Sequence, residues 1–121
     1  MMRRHLLLIG VWTAIALLVW PTAGWAELTI RLLSITSPVK RGGPARVEIL
    51  TTPTAVCDID VVYRSGPSRA PQLRPRRADD GGRVVWLWRV GTQVKPGRAQ
   101  VTIACLRGEQ ITSIRTEFAV R

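Results

Sequence analysis

Residues 56 to 64 read VCDIDVVYR, and this stretch decides the fold class. Apolar and charged side chains alternate along it, so Cys57 and Ile59 lie on one face of an extended strand. Asp58 and Asp60 lie on the other face. A strand with one apolar and one charged face covers a core on a single side, so the cysteine face is predicted to be buried in an antiparallel sheet.

The same alternation recurs around the second cysteine. Residues 101 to 105, VTIAC, place Ile103 and Cys105 on one face of a strand, and the two cysteines meet in the interior if the two strands are neighbours. The two cysteines have no Cys-x-x-Cys spacing and no histidine near them, so they are a poor ligand set for a metal. A disulfide between Cys57 and Cys105 is therefore predicted, and it should stabilise the fold by roughly 4 kcal/mol, mainly by restricting the unfolded chain.

Short β-branched runs separated by Gly, Pro and Asp extend over the rest of residues 27 to 121. No stretch of ten or more residues shows helical spacing, so the domain is predicted to be all-β. We expect six strands, near residues 28 to 35, 45 to 51, 56 to 64, 83 to 90, 99 to 106 and 110 to 120. The segment from 71 to 76 is the place for a seventh, short edge strand.

Two tryptophans are expected to supply much of the interior. Trp86 and Trp88 alternate with Val85 and Leu87, and each indole can bury about 150 to 250 Å². The predicted core residues are Trp86, Trp88, Ile59, Val61, Ile103 and Phe118. This pattern predicts a two-sheet antiparallel β-sandwich of six to seven strands with one disulfide.

The N-terminal segment differs from the rest of the chain. Two arginines near the start precede an uncharged run from residue 6 to residue 20, and small residues close the segment at Ala26. Residues 1 to 26 are therefore predicted to be a signal peptide, which leaves residues 27 to 121 as the domain. The alternative is an N-terminal membrane anchor formed by residues 6 to 26. Either alternative predicts a secreted or extracytoplasmic protein, in a compartment where cysteines form disulfides.

The chain is strongly basic, with a formal charge of +10. Without Arg3 and Arg4 it keeps 16 Lys and Arg against 8 Asp and Glu, a net charge of +8. The candidate anion-binding residues lie in or beside a long loop from 64 to 82, and they are Arg69, Arg74, Arg76, Arg77 and Arg83. Guanidinium groups suit phosphate and carboxylate, so this loop is either an adhesion site or a solvated basic surface.

Catalysis, cofactors and metal binding are not expected. The only histidine is His5, so residues 27 to 121 cannot form a Ser-His-Asp or Cys-His arrangement. The candidate carboxylates for hydrolysis or calcium binding are Asp58, Asp60, Asp79 and Asp80. The first two have the spacing of a polar strand face, and the last two have the sequence of an ordinary turn. Nucleic acid is not expected as a partner, because few aromatic residues are available for base stacking.

Three stretches resemble a known bacterial module: CDIDVVYRSGPSRA at 57 to 70, GRVVWLWRVG at 82 to 91, and VTIAC at 101 to 105. The chain is similar here to the immunoglobulin-like β-sandwich domain appended to secreted and membrane-tethered proteins of Gram-positive and related bacteria. The resemblance implies an extracytoplasmic accessory unit without a common catalytic set. Polar residues often flank the tryptophans in that family, whereas Val85 and Leu87 flank them here. The outer sheet face is therefore either solvated or covered by a partner.

The sequence thus predicts an exported, non-catalytic immunoglobulin-like module for interaction with a protein or with the cell envelope. A more specific version of this prediction is adhesion to an anionic cell-envelope component through the arginine-rich loop. The alternative is a carbohydrate-binding module or an accessory domain of an exported hydrolase, in which the tryptophans would be exposed to sugar. Membrane contact is expected only through the N-terminal segment, if that segment is not cleaved.

Overall fold

A computed structural model describes residues 27–121, and this part of the chain contains eight β-strands and no helix. The strands are β1 (Ile30–Ile35), β2 (Pro44–Thr51), β3 (Val56–Tyr63), β4 (Gly66–Pro67), β5 (Arg76–Arg77), β6 (Arg83–Arg89), β7 (Gly97–Arg107) and β8 (Gln110–Val120). The segment assigned to a signal peptide, residues 1 to 26, lies outside the described residues. Within the described part, no helix has the length and apolar character needed to cross a membrane.

The strands form two antiparallel sheets. The smaller sheet has the order β1-β2-β6, and the larger sheet has the order β4-β3-β7-β8, with β5 also paired to β3. The predicted all-β sandwich is therefore confirmed. The single edge strand expected around residues 71 to 76 is instead replaced by the two-residue strands β4 and β5. Pro71 and Pro75 lie between them, and proline has no N–H to donate to a strand ladder.

The predicted disulfide is confirmed. Cys57 of β3 lies directly opposite Cys105 of β7, with 4.0 Å between their Cα atoms and a sequence separation of 48. Both side chains are fully buried. The bond thus links the two central strands of the larger sheet on its inner face.

The core lies between the inner faces of the two sheets. All six residues assigned to it from the sequence are at most 4 % exposed. The indole N–H of Trp86 donates to the carbonyl oxygen of Arg74 at 3.0 Å, and that of Trp88 donates to the Tyr63 hydroxyl at 2.9 Å. Phe118 packs edge-on against Tyr63 and Trp88. Both tryptophans can be buried because each indole N–H finds an acceptor.

A close backbone contact holds the start of β6 against the end of β2. Gly82 has a φ of +81°, and its carbonyl accepts the N–H of Thr51 at 2.7 Å. A Cβ atom at this position would collide with the Thr51 carbonyl oxygen, so only glycine fits without rearrangement.

At the other end of the sandwich, residues 36 to 43 join β1 to β2 and form hydrogen bonds with residues at the ends of both sheets. The N–H of Val39 donates to Ala119 at 2.8 Å, and the N–H of Arg121 donates back to Val39 at 3.0 Å. On the other side, Gly42 donates to Val90 at 2.8 Å and Val90 donates to Gly43 at 2.9 Å. The segment is therefore fixed both to the last residues of β8 and to the residue after β6.

Candidate functional site

Positive charge is concentrated at one end of the sandwich, which we call the basic end. It comprises the segments 36 to 43, 64 to 70 and 90 to 96, together with Arg89 and Arg121. Its cationic residues, all exposed, are Lys40, Arg41, Arg64, Arg69, Arg89, Lys95 and Arg121. These segments contain no Asp or Glu. The side chains thus form a cationic surface without local compensation.

The opposite end of the sandwich has both signs of charge. Its loops and the residues before β1 carry Glu27, Asp79, Asp80 and Glu109, close in sequence to arginines at the ends of β5, β6 and β7. The Asp79 carboxylate accepts the N–H groups of Gly81 at 3.0 Å and Arg83 at 2.8 Å, which gives it a structural role in the turn. The acids at this end therefore offset its arginines.

The backbone of the basic end is well ordered by hydrogen bonds. Besides the contacts of residues 36 to 43 described above, the N–H of Gly43 donates to the Lys40 carbonyl at 2.7 Å. One guanidinium nitrogen of Arg89 donates to the Gly42 carbonyl at 2.7 Å. The turn that presents Lys40 and Arg41 is thus tied to β6 as well as to β8, and its charges stand on a fixed frame.

A cleft of about 460 Å³ opens at the basic end, between the segments 64 to 70 and 90 to 96. The lining includes the cations Arg69 and Arg89, the polar residues Ser65, Ser68, Thr92 and Gln93, and the less polar Tyr63, Pro67, Ala70 and Val94. No acidic residue lines it. A second, open hollow of about 760 Å³ is lined by Lys40, Arg41, Thr92 and Arg121. Since Thr92 lines both, the two hollows are adjacent.

The five arginines selected from the sequence do not come together in the structure. Arg69 lines the cleft at the basic end. Arg76 and Arg77 form β5 and pair with the start of β3, near the opposite end. Arg74 accepts the Trp86 indole N–H through its carbonyl. Arg83 lies at the start of β6, where it forms an ion pair.

That ion pair belongs to a group of three charges on the outer face of the smaller sheet. One carboxylate oxygen of Glu48 in β2 accepts a hydrogen bond from the Arg46 guanidinium at 2.8 Å, and the other accepts one from the Arg83 guanidinium at 2.9 Å. The Glu48 side chain is only 11 % exposed, whereas the two arginine side chains are 43 % and 63 % exposed. Arg83 is thereby partly neutralised, which makes it a poorer anion site than the cations of the basic end.

The residues that flank the tryptophans lie on this same outer face. Leu87 is 54 % exposed and Val85 is half-buried, and Leu33 nearby in the sheet is 40 % exposed. Within the described residues, no strand covers this face. The tryptophans themselves are 0 % and 4 % exposed, so they offer no aromatic surface for stacking on a sugar.

The sequence pattern did not identify most of the basic end. Lys40, Arg41, Arg64, Arg89 and Arg121 are isolated or paired cations in segments far apart in the chain. The available signal was the absence of acids from the loops at 36 to 43, 64 to 70 and 90 to 96, whereas the turns at 78 to 82 and 108 to 109 contain acids. Alternate turns of an antiparallel sandwich lie at the same end, so this spacing could have indicated a charged end.

Comparisons with known proteins leave the family open. No protein-family model matches the chain, and no curated protein matches it. Similar folds occur in the cell-surface-expressed multi-modular chitinase ChiW from Paenibacillus sp. str. FPU-7 (7 % identity, TM-score 0.48) and in a β-glucosidase from Listeria innocua (12 % identity, TM-score 0.45). A family 123 glycoside hydrolase from Clostridium perfringens gives 10 % identity and a TM-score of 0.38.

These alignments cover 83 %, 83 % and 78 % of this chain but only 9 %, 17 % and 27 % of the three enzymes. Likeness at this level assigns no activity to the chain. The resemblance to the bacterial immunoglobulin-like module therefore stays a prediction.

Proposed function

We propose that this chain is an exported, non-catalytic immunoglobulin-like module that attaches to anionic polymers of the cell envelope through its basic end. The observation that carries the proposal is the segregation of charge. Seven exposed cations lie at one end of the sandwich, in segments without an acid. A surface of one sign attracts a polymer of the other sign, and arginine is well suited to phosphate and carboxylate groups.

The fixed geometry of the basic end also supports binding. Backbone hydrogen bonds of Val39 and Gly42 hold the turn that carries Lys40 and Arg41 between the ends of both sheets. Cations on a rigid frame lose less conformational freedom on binding than cations on a long flexible loop, so more of the electrostatic attraction remains as affinity.

The strand order and the disulfide support the class and the compartment. The orders first-second-sixth and third-seventh-eighth correspond to the A-B-E and C-F-G strands of immunoglobulin-type sandwiches. A buried disulfide is stable in an oxidising compartment, as expected for an exported protein.

The test compares two triple variants of the full chain that remove equal charge, one at the basic end and one away from it. One is Lys40→Ser, Arg41→Ser and Arg121→Ser at the basic end, and the other replaces Arg74, Arg76 and Arg77 by serine. Affinity for polyphosphate is measured by titration calorimetry between 50 and 300 mM NaCl. We expect wild-type affinity to fall steeply with salt, since exposed charges are screened. The basic-end variant should lose at least tenfold in affinity, and the control variant less than threefold.

Equal losses in the two variants would show that net charge alone governs binding, and would overturn the assignment to the basic end. Binding of the wild-type chain that does not depend on salt, or no binding at all, would overturn the polyanion proposal itself. Circular dichroism of both variants checks that the sandwich is retained, which is expected because none of the six side chains lies in the core.

A further inference from the structure

We infer that the cleft between the segments 64 to 70 and 90 to 96 binds one acidic sugar unit, so that the polymer recognised by the basic end is an acidic glycan. This inference rests on the proposed function and names its ligand class. The shared chemistry is a hydroxyl-rich unit with one negative group, either the carboxylate of a uronic acid or the phosphate of a sugar phosphate.

The size and charge of the cleft fit such a unit. Its volume of about 460 Å³ lies within the usual range for small-ligand sites, about 300 to 1,000 Å³. Its charged lining residues are Arg69 and Arg89, and no carboxylate opposes them. The contact of Arg89 with the Gly42 carbonyl uses one guanidinium nitrogen, and a guanidinium has five N–H donors in all. Donors therefore remain for an anion.

The polar groups of the cleft distinguish it from a simple cationic patch. The hydroxyl oxygens of Ser65 and Ser68 accept backbone N–H groups, from Lys95 at 3.4 Å and from Ala70 at 3.3 Å. Because each oxygen acts as the acceptor, each hydroxyl proton can still be donated to a ligand. Thr92 and Gln93 add further donors and acceptors. A hydroxylated ring can use these groups, whereas a bare phosphate chain leaves most of them unused.

Hydrogen bonds across the cleft also set its shape. The contact between Ser65 and the N–H of Lys95 joins the two segments that form the walls. At the end of β3, Tyr63 lines the cleft while its hydroxyl accepts the Trp88 indole N–H at 2.9 Å, so this lining residue is fixed by the core. The cleft is thus a largely preformed site.

The neighbouring hollow gives the polymer a path beyond the cleft. Thr92 lines both, and the second hollow adds Lys40, Arg41 and Arg121. A sugar unit in the cleft therefore places the next acidic unit of the chain against three further cations. The cleft supplies selectivity for the sugar, and the hollow supplies additional electrostatic attraction.

The experiment uses the full chain and four probes of similar length: trigalacturonate, a trimer of glucose units joined by phosphodiester bonds, triphosphate and neutral maltotriose. Affinities are measured by calorimetry, and backbone amide shifts are followed by NMR. We expect trigalacturonate or the sugar-phosphate trimer to bind at least tenfold more tightly than maltotriose and triphosphate, with shifts centred on Ser65 and Thr92. The preferred probe of the two identifies the negative group as carboxylate or phosphate.

Arg69→Gln is the variant that tests the cleft, and Arg76→Gln at the opposite end of the sandwich is its control. Arg69→Gln should lower the affinity for the acidic sugar probe at least tenfold and the affinity for triphosphate less than threefold. Arg76→Gln should change neither affinity by more than twofold. If all anionic probes bind equally, or Arg69→Gln weakens them equally, the sugar cleft is overturned and the basic end remains a polyanion surface. If no anionic probe binds, both proposals fail.

Discussion

The two sheets of the sandwich are stabilised in different ways. The larger sheet is cross-linked by the disulfide between its central strands β3 and β7. The smaller sheet has no covalent link, and it contributes the largest core side chains, Trp86 and Trp88, from a single strand. On its outer face, Glu48 holds two arginines. Both sheets therefore pack against a shared core, and the larger sheet is held by a covalent cross-link in addition.

The outer faces of the two sheets also differ in charge. The smaller sheet exposes Arg31, Arg46, Arg83 and Arg89 around the single acid Glu48. The larger sheet has Asp58, Asp60 and Glu117 together with Arg77, Arg98 and Arg115. The excess positive charge of residues 27–121 is thus absent from the larger sheet's outer face. A polyanion approaching the basic end is favoured on the side of the smaller sheet.

The largest expected effect comes from breaking the cross-link. In the Cys57→Ala/Cys105→Ala variant, the free energy of unfolding should fall by about 4 kcal/mol, because the unfolded chain regains the freedom of a loop of this length. Urea unfolding followed by circular dichroism measures the change. A reducing agent should produce a similar loss in the wild-type protein and no loss in the variant. A double variant as stable as the oxidised wild type would show that the disulfide is not a major contribution.

A smaller loss is expected from the inner face of the smaller sheet. Trp86→Phe should lower the free energy of unfolding by about 2 kcal/mol, since it leaves a cavity and removes the donor to the Arg74 carbonyl. Leu87→Ala in the same strand is the control, and at 54 % exposure it should change stability by less than about 0.5 kcal/mol. Equal losses in the two variants would contradict the assignment of the tryptophan face to the core.

The smallest effect concerns the ion pairs on the two outer faces. Glu48→Gln should cost about 1 kcal/mol, because Glu48 is nearly buried and both its oxygens accept charged donors. Glu117→Gln on the larger sheet should cost less than about 0.5 kcal/mol, since its pair with Arg98 is exposed. Chemical unfolding at low and at 1 M NaCl measures both. A larger cost for Glu117→Gln than for Glu48→Gln would reverse this comparison.

Most of the fold could be predicted from the sequence, because it depends on alternation. The expected strand from 110 to 120 matches Gln110–Val120, and the strand around Cys57 ends one residue earlier than expected. Alternation fixes which side chains face inward, and the inward cysteines then fix the pairing of β3 with β7. Local pattern was sufficient because each strand has a clearly apolar inner face.

The site could not be predicted in the same way, because nearness in sequence was misleading. Residues 66 to 77 run along the edge of β3, from β4 beside Tyr63 to β5 beside Cys57. This path carries Arg69 to the basic end and Arg76 to the opposite end. Conversely, Arg41 and Arg121 are 80 positions apart in the chain, yet the N–H of one donates to the carbonyl of the other at 3.1 Å. Only the paired topology brings these cations together.

β8 is an edge strand of the larger sheet, and an edge strand can pair with a second copy of the chain. Ala119 directs its N–H and C=O groups toward residues 37 and 39, so alternate residues back to Ile111 direct theirs to the same side, where no described strand pairs with them. A border of this kind is a template for edge-to-edge aggregation. Arg115 acts against it, because two copies aligned in antiparallel fashion about this residue would bring their guanidinium groups side by side. Arg115 thus acts as a gatekeeper that opposes fibril-like pairing along this edge of the larger sheet.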